Sequence, residues 1–225
     1  MKAIQNGDGH VGLTARSYPV ATNASIKRGQ VVKLSGGTVI SAIAAETSPI
    51  LGIAAETHGG TADVLNPRNN GEELLVYDNP TLIFECPAPV FAASGGSATT
   101  VTAATSAVAC TTADAFNQGR LKLKKKGAGS GNTDCVGTVK AVADFASAAG
   151  TATFTVASGA TAASGDEYYL FPPIGAAGVV ALDSTNFSKM VLTASGCTKI
   201  KVVGWDLERN MLRLMAVEHA LGVEA

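Results

Sequence analysis

The chain has 225 residues, of which 46% are hydrophobic but only 5% aromatic and 16% charged, with a formal net charge of −1. That balance argues against wholesale nucleic-acid binding, which needs a cationic surface to release counterions. No apolar run reaches the roughly 18 residues of a membrane-spanning helix.

The first 25 residues show neither a two-residue nor a 3.6-residue hydrophobic period. Gly7, Gly9, Gly12 and Pro19 punctuate them, Lys2 and Arg16 are their basic residues, and no apolar core segment marks a secretory signal. The segment 1–25 reads as an extended N-terminal arm, suited to lying over a neighbour or adding a strand to a sheet edge. It is expected to be dispensable for folding.

A first β unit is predicted over 26–90. Val31, Val32 and Leu34 run into Ser35-Gly36-Gly37, and Thr38-Val39-Ile40 send the chain back. Glycine supplies the positive φ that such hairpin turns demand. A third strand is read in 49–56, and two more in 73–78 and 81–85, broken by Asn79-Pro80 because proline cannot donate to a ladder. The AAET of 44–47 returns at 54–57, too short to be a structural repeat.

Residues 92–112 are nearly all Ala, Ser, Thr and Gly. The segment 91–118 is therefore expected as a low-complexity loop or linker, or a weak strand pair, with one or two helical turns at 112–118. A second β-rich unit over 119–225, separate from the first or merged with it, opens with Arg120-Leu-Lys-Leu-Lys124, whose alternation puts leucines on one face and cations on the other. Strands are read at 136–142, 151–156 and 167–171, and a closing hairpin at 199–205 and 211–217 around the loop 206–210. A short helix is read at 184–189. The fold class is mainly β: small β-barrel or β-tulip-like units with an extended N-terminal arm and few short helices.

Chemistry is sparse. There is no GxSxG elbow, and GAGSGN at 127–132 fits neither the dinucleotide fingerprint nor the P-loop, so it reads as a flexible hairpin tip. His10, His58 and His219 are scattered. Cys86, Cys110, Cys135 and Cys197 form no CxxC pair and read as reduced, small and buried, without zinc. No catalytic, cofactor-binding or metal-binding residue is assigned, no cofactor is implied, and an enzyme is not expected. The cationic cluster Lys122, Lys124, Lys125 and Lys126 reads either as a lysine-protected hairpin edge or as a patch for an acidic partner. The sole tryptophan, Trp205, reads as core.

Three segments, GQVVKLSGGTVISA (29–42), ILGIAAET (50–57) and LLVYDNPTLIFE (74–85), resemble virion proteins of tailed bacteriophages, in particular small capsid decoration (cement) proteins. KVVGWDLERNMLRLMAVEHALG (201–222) looks like the closing hairpin of similar proteins. The resemblance implies a non-enzymatic β body, made in the host cytoplasm, that binds the major capsid protein on the outside of the shell. It also implies a homo-oligomer, a trimer being favoured, with no direct contact to nucleic acid or membrane. Lys2, Arg16, Tyr18 and the lysines Lys122, Lys124, Lys125 and Lys126 are the expected capsid contacts. The rival readings are a tail-tube or baseplate subunit and a displayed receptor- or glycan-binding module.

Overall fold

A computed structural model describes residues 2–6, 13–21, 24–43, 46–59, 73–157, 159, 161–177, 180–182, 190–192, 199–218 and 220. Within them the strands are β1 (Lys2–Asn6), β2 (Ala15–Pro19), β3 (Ser25–Ile26), β4 (Val31–Ser35), β5 (Thr38–Ser41), β6 (Gly52–Ala54), β7 (His58–Gly59), β8 (Glu73–Tyr77), β9 (Leu82–Pro87) and β10 (Val90–Ala92). They continue as β11 (Gly95–Ser97), β12 (Thr100–Ala104), β13 (Arg120–Lys125), β14 (Val139–Ala148), β15 (Thr151–Val156), β16 (Glu167–Phe171), β17 (Val180–Leu182), β18 (Met190–Leu192), β19 (Ile200–Asp206) and β20 (Met211–Ala216). One four-residue helix, α1 (Thr105–Val108), stands among them.

Three sheets carry the architecture. The first is five-stranded, in the order β2-β8-β6-β4-β5. Its opening hairpin turns on Gly36 (φ 57°) and Gly37 (φ 84°), as the sequence predicts. Gly52 is required for a different reason: a Cβ there would lie 1.9 Å from the Tyr77 carbonyl oxygen, so only glycine lets β6 meet β8. One face of this sheet buries Ile26, Val32, Val39, Leu51, Leu74 and Val76 in a small core of its own.

The second sheet has seven strands, in the order β10-β16-β13-β14-β15-β12-β11. Phe91 on the edge strand β10 stacks on Phe154 of β15 with ring centroids 5.2 Å apart. Phe154 also meets Phe145 at 4.9 Å, and Phe116 meets Phe145 edge-on at 4.8 Å. Rings from an edge strand and from the fifth strand touch only if the sheet curls strongly about them. Truncating Phe154, which is fully buried, to alanine should cost about 3–5 kcal/mol.

The third sheet, β1-β9-β20-β19, draws on both ends of the chain and its middle. Buried Glu85 on β9 holds Arg209 at 3.0 Å and Arg213 at 3.4 Å, tying β9 to the C-terminal hairpin. The main core extends from Ala3 through Val31 and Ile53 to the seven-stranded sheet and Ala216.

Several sequence expectations change. The structure is mainly β with one short helix among the described residues, but no closed barrel or tulip-like unit is seen. The described part of the N-terminal arm is extended yet does not stand off the body. Lys2–Asn6 pairs with β9 and Ala15–Pro19 pairs with β8. The low-complexity segment 91–118 supplies β11 and β12, paired as one of the readings had it, together with most of β10 and α1. The helix expected at 112–118 is a series of turns, because Asp114 (φ 62°) and Gln118 (φ 68°) take left-handed backbone conformations that a helix excludes. The helix read at 184–189 lies outside the described residues. Of the cysteines, Cys86 and Cys110 are buried as expected, whereas Cys135 is exposed; Cys197 is not among the described residues.

Removing residues 1–25 takes away β1 and β2 and bares the edges of β9 and β8 to solvent. Such a truncation is expected to aggregate or lose its far-ultraviolet β signal, as judged by size-exclusion chromatography and circular dichroism. A soluble, monodisperse, β-rich product would show instead that these strands are accessory.

Candidate interaction surface

Of the contact residues expected in the leader, Arg16 and Tyr18 are engaged within the fold. The Tyr18 hydroxyl donates to buried Asp78 at the end of β8, and Arg16 approaches the same carboxylate at 3.6 Å. Burial, and then the hydrogen bond to Asp78, push the Tyr18 phenol up to about 12. Lys2 sits opposite Glu85 in the β1–β9 ladder.

The lysine cluster is dispersed among different partners. Alternation along β13 works as read: Leu121 and Leu123 are buried, and the cations face outward. Lys122 reaches across to the C-terminal hairpin loop, donating to the Leu207 carbonyl at 2.5 Å and Asn210 Oδ1 at 2.8 Å. Lys124 pairs with Glu167 at 2.6 Å and lies 5.9 Å from the Tyr169 ring centroid. Lys125 is exposed and Lys126 half-buried. Lys122 is thus a structural clasp, and only Lys124 and Lys125 form an outward cationic ridge.

Across β14, β15 and β12 the outer face of the sheet changes character. Along β14, Val139, Ala141, Ala143, Ala146 and Ala148 point outward, while Val142 and Phe145 point in. The registers set Thr153 between Ala146 and Thr102, and Thr155 between Asp144 and Thr100. Asp144 is the only ionisable residue on the outward positions of β12, β15 and β14. The β-branched threonines favour a pleated strand, and the small alanines leave the surface low. Sequence reading missed this face because its residues lie in three strands that only pairing brings together.

Where β13 begins, the surface dips into a groove of about 470 Å³ lined by Gln118, Arg120, Ala141, Val142, Ile174 and Trp205. Trp205, expected in the core, is half-buried and packs against it, with its indole N–H donating to the Pro172 carbonyl at 2.7 Å. The Arg120 guanidinium lies over its ring, 5.5 Å from the centroid.

A buried polar node lies at the far end of β16. Asp166, fully buried, accepts from Asn132 Nδ2 at 2.7 Å, from the Gly127 N–H at 2.8 Å and from the Ala163 N–H at 3.0 Å. Burial pushes its carboxyl upward, but these donors outweigh that and hold it below the usual range. Neighbouring Tyr168 is raised to about 12 by burial and then by the Asp166 charge. GAGSGN, read as a flexible tip, is therefore anchored at both ends by one carboxylate. Asp134 and Lys140 form a further ion pair at 2.8 Å nearby in the chain. These groups are engaged in holding loops. His58, also buried, meets the Ala24 carbonyl through Nδ1 at 2.9 Å; His10 and His219 lie outside the described residues. Among the described residues no group of three or more metal-ligating side chains is gathered.

Comparison with protein-family models, curated proteins and solved structures yields no match for this chain.

Asp166→Asn is expected to lower stability by about 1–3 kcal/mol near neutral pH, because the buried donors lose their anionic acceptor. Since the folded-state pKa is depressed, the contribution of Asp166 is complete above the unfolded carboxylate value, about 4. It is lost as pH falls through the lower folded value. Urea denaturation should therefore find the gap between wild type and variant narrowing from neutral toward strongly acidic pH. An unchanged gap would refute this role.

Proposed function

We propose that this chain is a non-enzymatic virion structural protein that binds the outside of an assembled phage capsid and stabilises it across the seams between major capsid subunits. The observation that carries the reading is the Thr/Ala face of β12, β15 and β14, nearly free of charge and bordered on β13 by Arg120 and Lys122. Solvent-facing strands are ordinarily studded with charge, whereas the centre of a protein–protein interface is depleted of it and its rim is polar. The three segments resembling decoration proteins, which supply β4, β5 and β6 and most of β8 and β9, suggest the identity of the partner. In this reading the curled seven-stranded sheet, with β10 and β11 at opposite edges and joined through Ala93-Ser94, is the barrel-like body.

The mechanism is mechanical. A protein that binds the assembled shell and not its separated subunits stabilises the shell by mass action. An interface of about 1,600 Å² in total is a usual size for a stable complex. A homo-oligomer, such as a trimer, adds avidity through several identical faces. The described parts of the leader, β1 and β2, are paired into the sheets, so the face replaces the leader as the contact in this proposal.

A double substitution, Thr102→Arg with Thr153→Arg, places two cations in the middle of the face without touching the core. Electron microscopy of capsids incubated with each protein should show external density for wild type and none for the variant, with unchanged melting of the isolated chains. Normal occupancy by the variant would exclude this face, and absence of density for wild type would overturn the capsid reading.

A further inference from the structure

The groove beside Trp205 has the chemistry of a carboxylate receptor. Arg120 Nη1 donates to two backbone carbonyls, Gln118 at 3.0 Å and Gly119 at 2.9 Å. A guanidinium carries five N–H donors in a planar fork, so three remain, on Nη2 and Nε. That edge is one with which arginine grips a carboxylate through two parallel hydrogen bonds. Among the described residues no acid forms a salt bridge with Arg120: Glu85 serves Arg209 and Arg213, Asp206 serves Arg209, and Glu167 serves Lys124.

The surroundings are fixed before any ligand arrives. Trp205 is held through its indole N–H, and Arg120 through Nη1 and the ring face beneath it. Little side-chain freedom is left to lose on binding, the condition for a strong contact point. Space exists because the residue opposite Arg120 in the β13–β14 ladder is Ala141. The groove also contains Ile174, which is 61% exposed, an unusually large apolar group to leave in water. A simple acid would satisfy Arg120 and leave Ile174 wet. The complementary occupant joins a carboxylate to an apolar group.

We propose that this groove docks an aspartate or glutamate side chain of a partner protein segment through Arg120, with a neighbouring apolar residue of that segment packed on Ile174. Assigning the segment to the capsid shell rests on the function proposed above; the acid-plus-apolar chemistry rests on the groove alone.

Trp205 is the only tryptophan of the chain, so its fluorescence reads this groove directly. The full-length protein is titrated with a capped leucine–aspartate–leucine tripeptide and with its asparagine counterpart. The acidic peptide should give a saturable change, with binding at least about tenfold weaker for the amide peptide, as loss of a charge-assisted bidentate contact requires. Arg120→Gln and the groove-filling Ala141→Phe should each abolish the response, and Lys124→Gln should leave it unchanged. Equal responses to the two peptides, or none to either, would overturn the proposal. A response to sialyllactose in place of the peptides would also overturn it and make the occupant a glycan. Capsid binding is scored separately. Wild-type binding that Arg120→Gln leaves intact would remove the groove from the capsid contact, whereas a peptide response without capsid binding would keep the groove chemistry and discard the shell as partner.

Discussion

The stacking of Phe91 on Phe154 constrains most of the rest of the molecule. It joins an edge strand to the fifth strand of the same sheet, and that contact exists only in a curled sheet. Curling decides which side of each strand is inside. Phe145, Phe154, Leu121 and Leu123 line the interior, leaving the threonines and alanines of β12, β15 and β14 as the convex exterior. A chain with only 5% aromatic residues thus concentrates its rings where they fix one curvature. Aromatic pairs of this kind contribute about 0.5–1.5 kcal/mol beyond the area they bury.

Around this curled sheet the two ends of the chain act as a clasp. The four-stranded sheet places Lys2–Asn6 and the C-terminal hairpin on either side of β9. Lys122 then reaches from β13 to the loop of that hairpin, so the C-terminal segment is tied to the seven-stranded sheet as well. The same hairpin carries Trp205 to Arg120. The groove is therefore a product of docking one sheet on another, and its Arg120 and Trp205 side chains are held by backbone carbonyls. A rigid face with a preformed anchor beside it suits a protein proposed to work by holding surfaces together.

Legibility in the sequence followed contrast and locality. The Gly36-Gly37 hairpin, the alternating leucines of β13 and the closing hairpin were all readable, because turn chemistry and period-two patterning act between near neighbours. The stretch 91–118 was opaque, since Ala, Ser, Thr and Gly offer little hydrophobic contrast from which to read a period; its strands are set by pairing with β15 and β16. The pairing of β1 and β2 within the chain is illegible for a related reason: their partners, β9 and β8, lie more than fifty residues downstream. Lys122 looked like a member of a surface cluster because its acceptors, Leu207 and Asn210, are equally remote. Trp205, expected in the core, is half-buried against it and lines the groove, and nothing local signals that Arg120 lies across it. The Thr/Ala face, like the groove, exists only in three dimensions.

The central claim is that the molecule meets its partner through a nearly uncharged face rather than through its lysines, and salt discriminates the two most directly. At 1 M salt, charges further apart than about 3 Å are screened, compared with about 10 Å at 0.1 M. Co-sedimentation of the wild-type protein with purified capsids should give nearly the same bound fraction at both concentrations. Release of the protein at the higher salt would show that charges, whether the Lys124–Lys125 ridge or Arg120, carry the contact in place of the face, and would contradict this account.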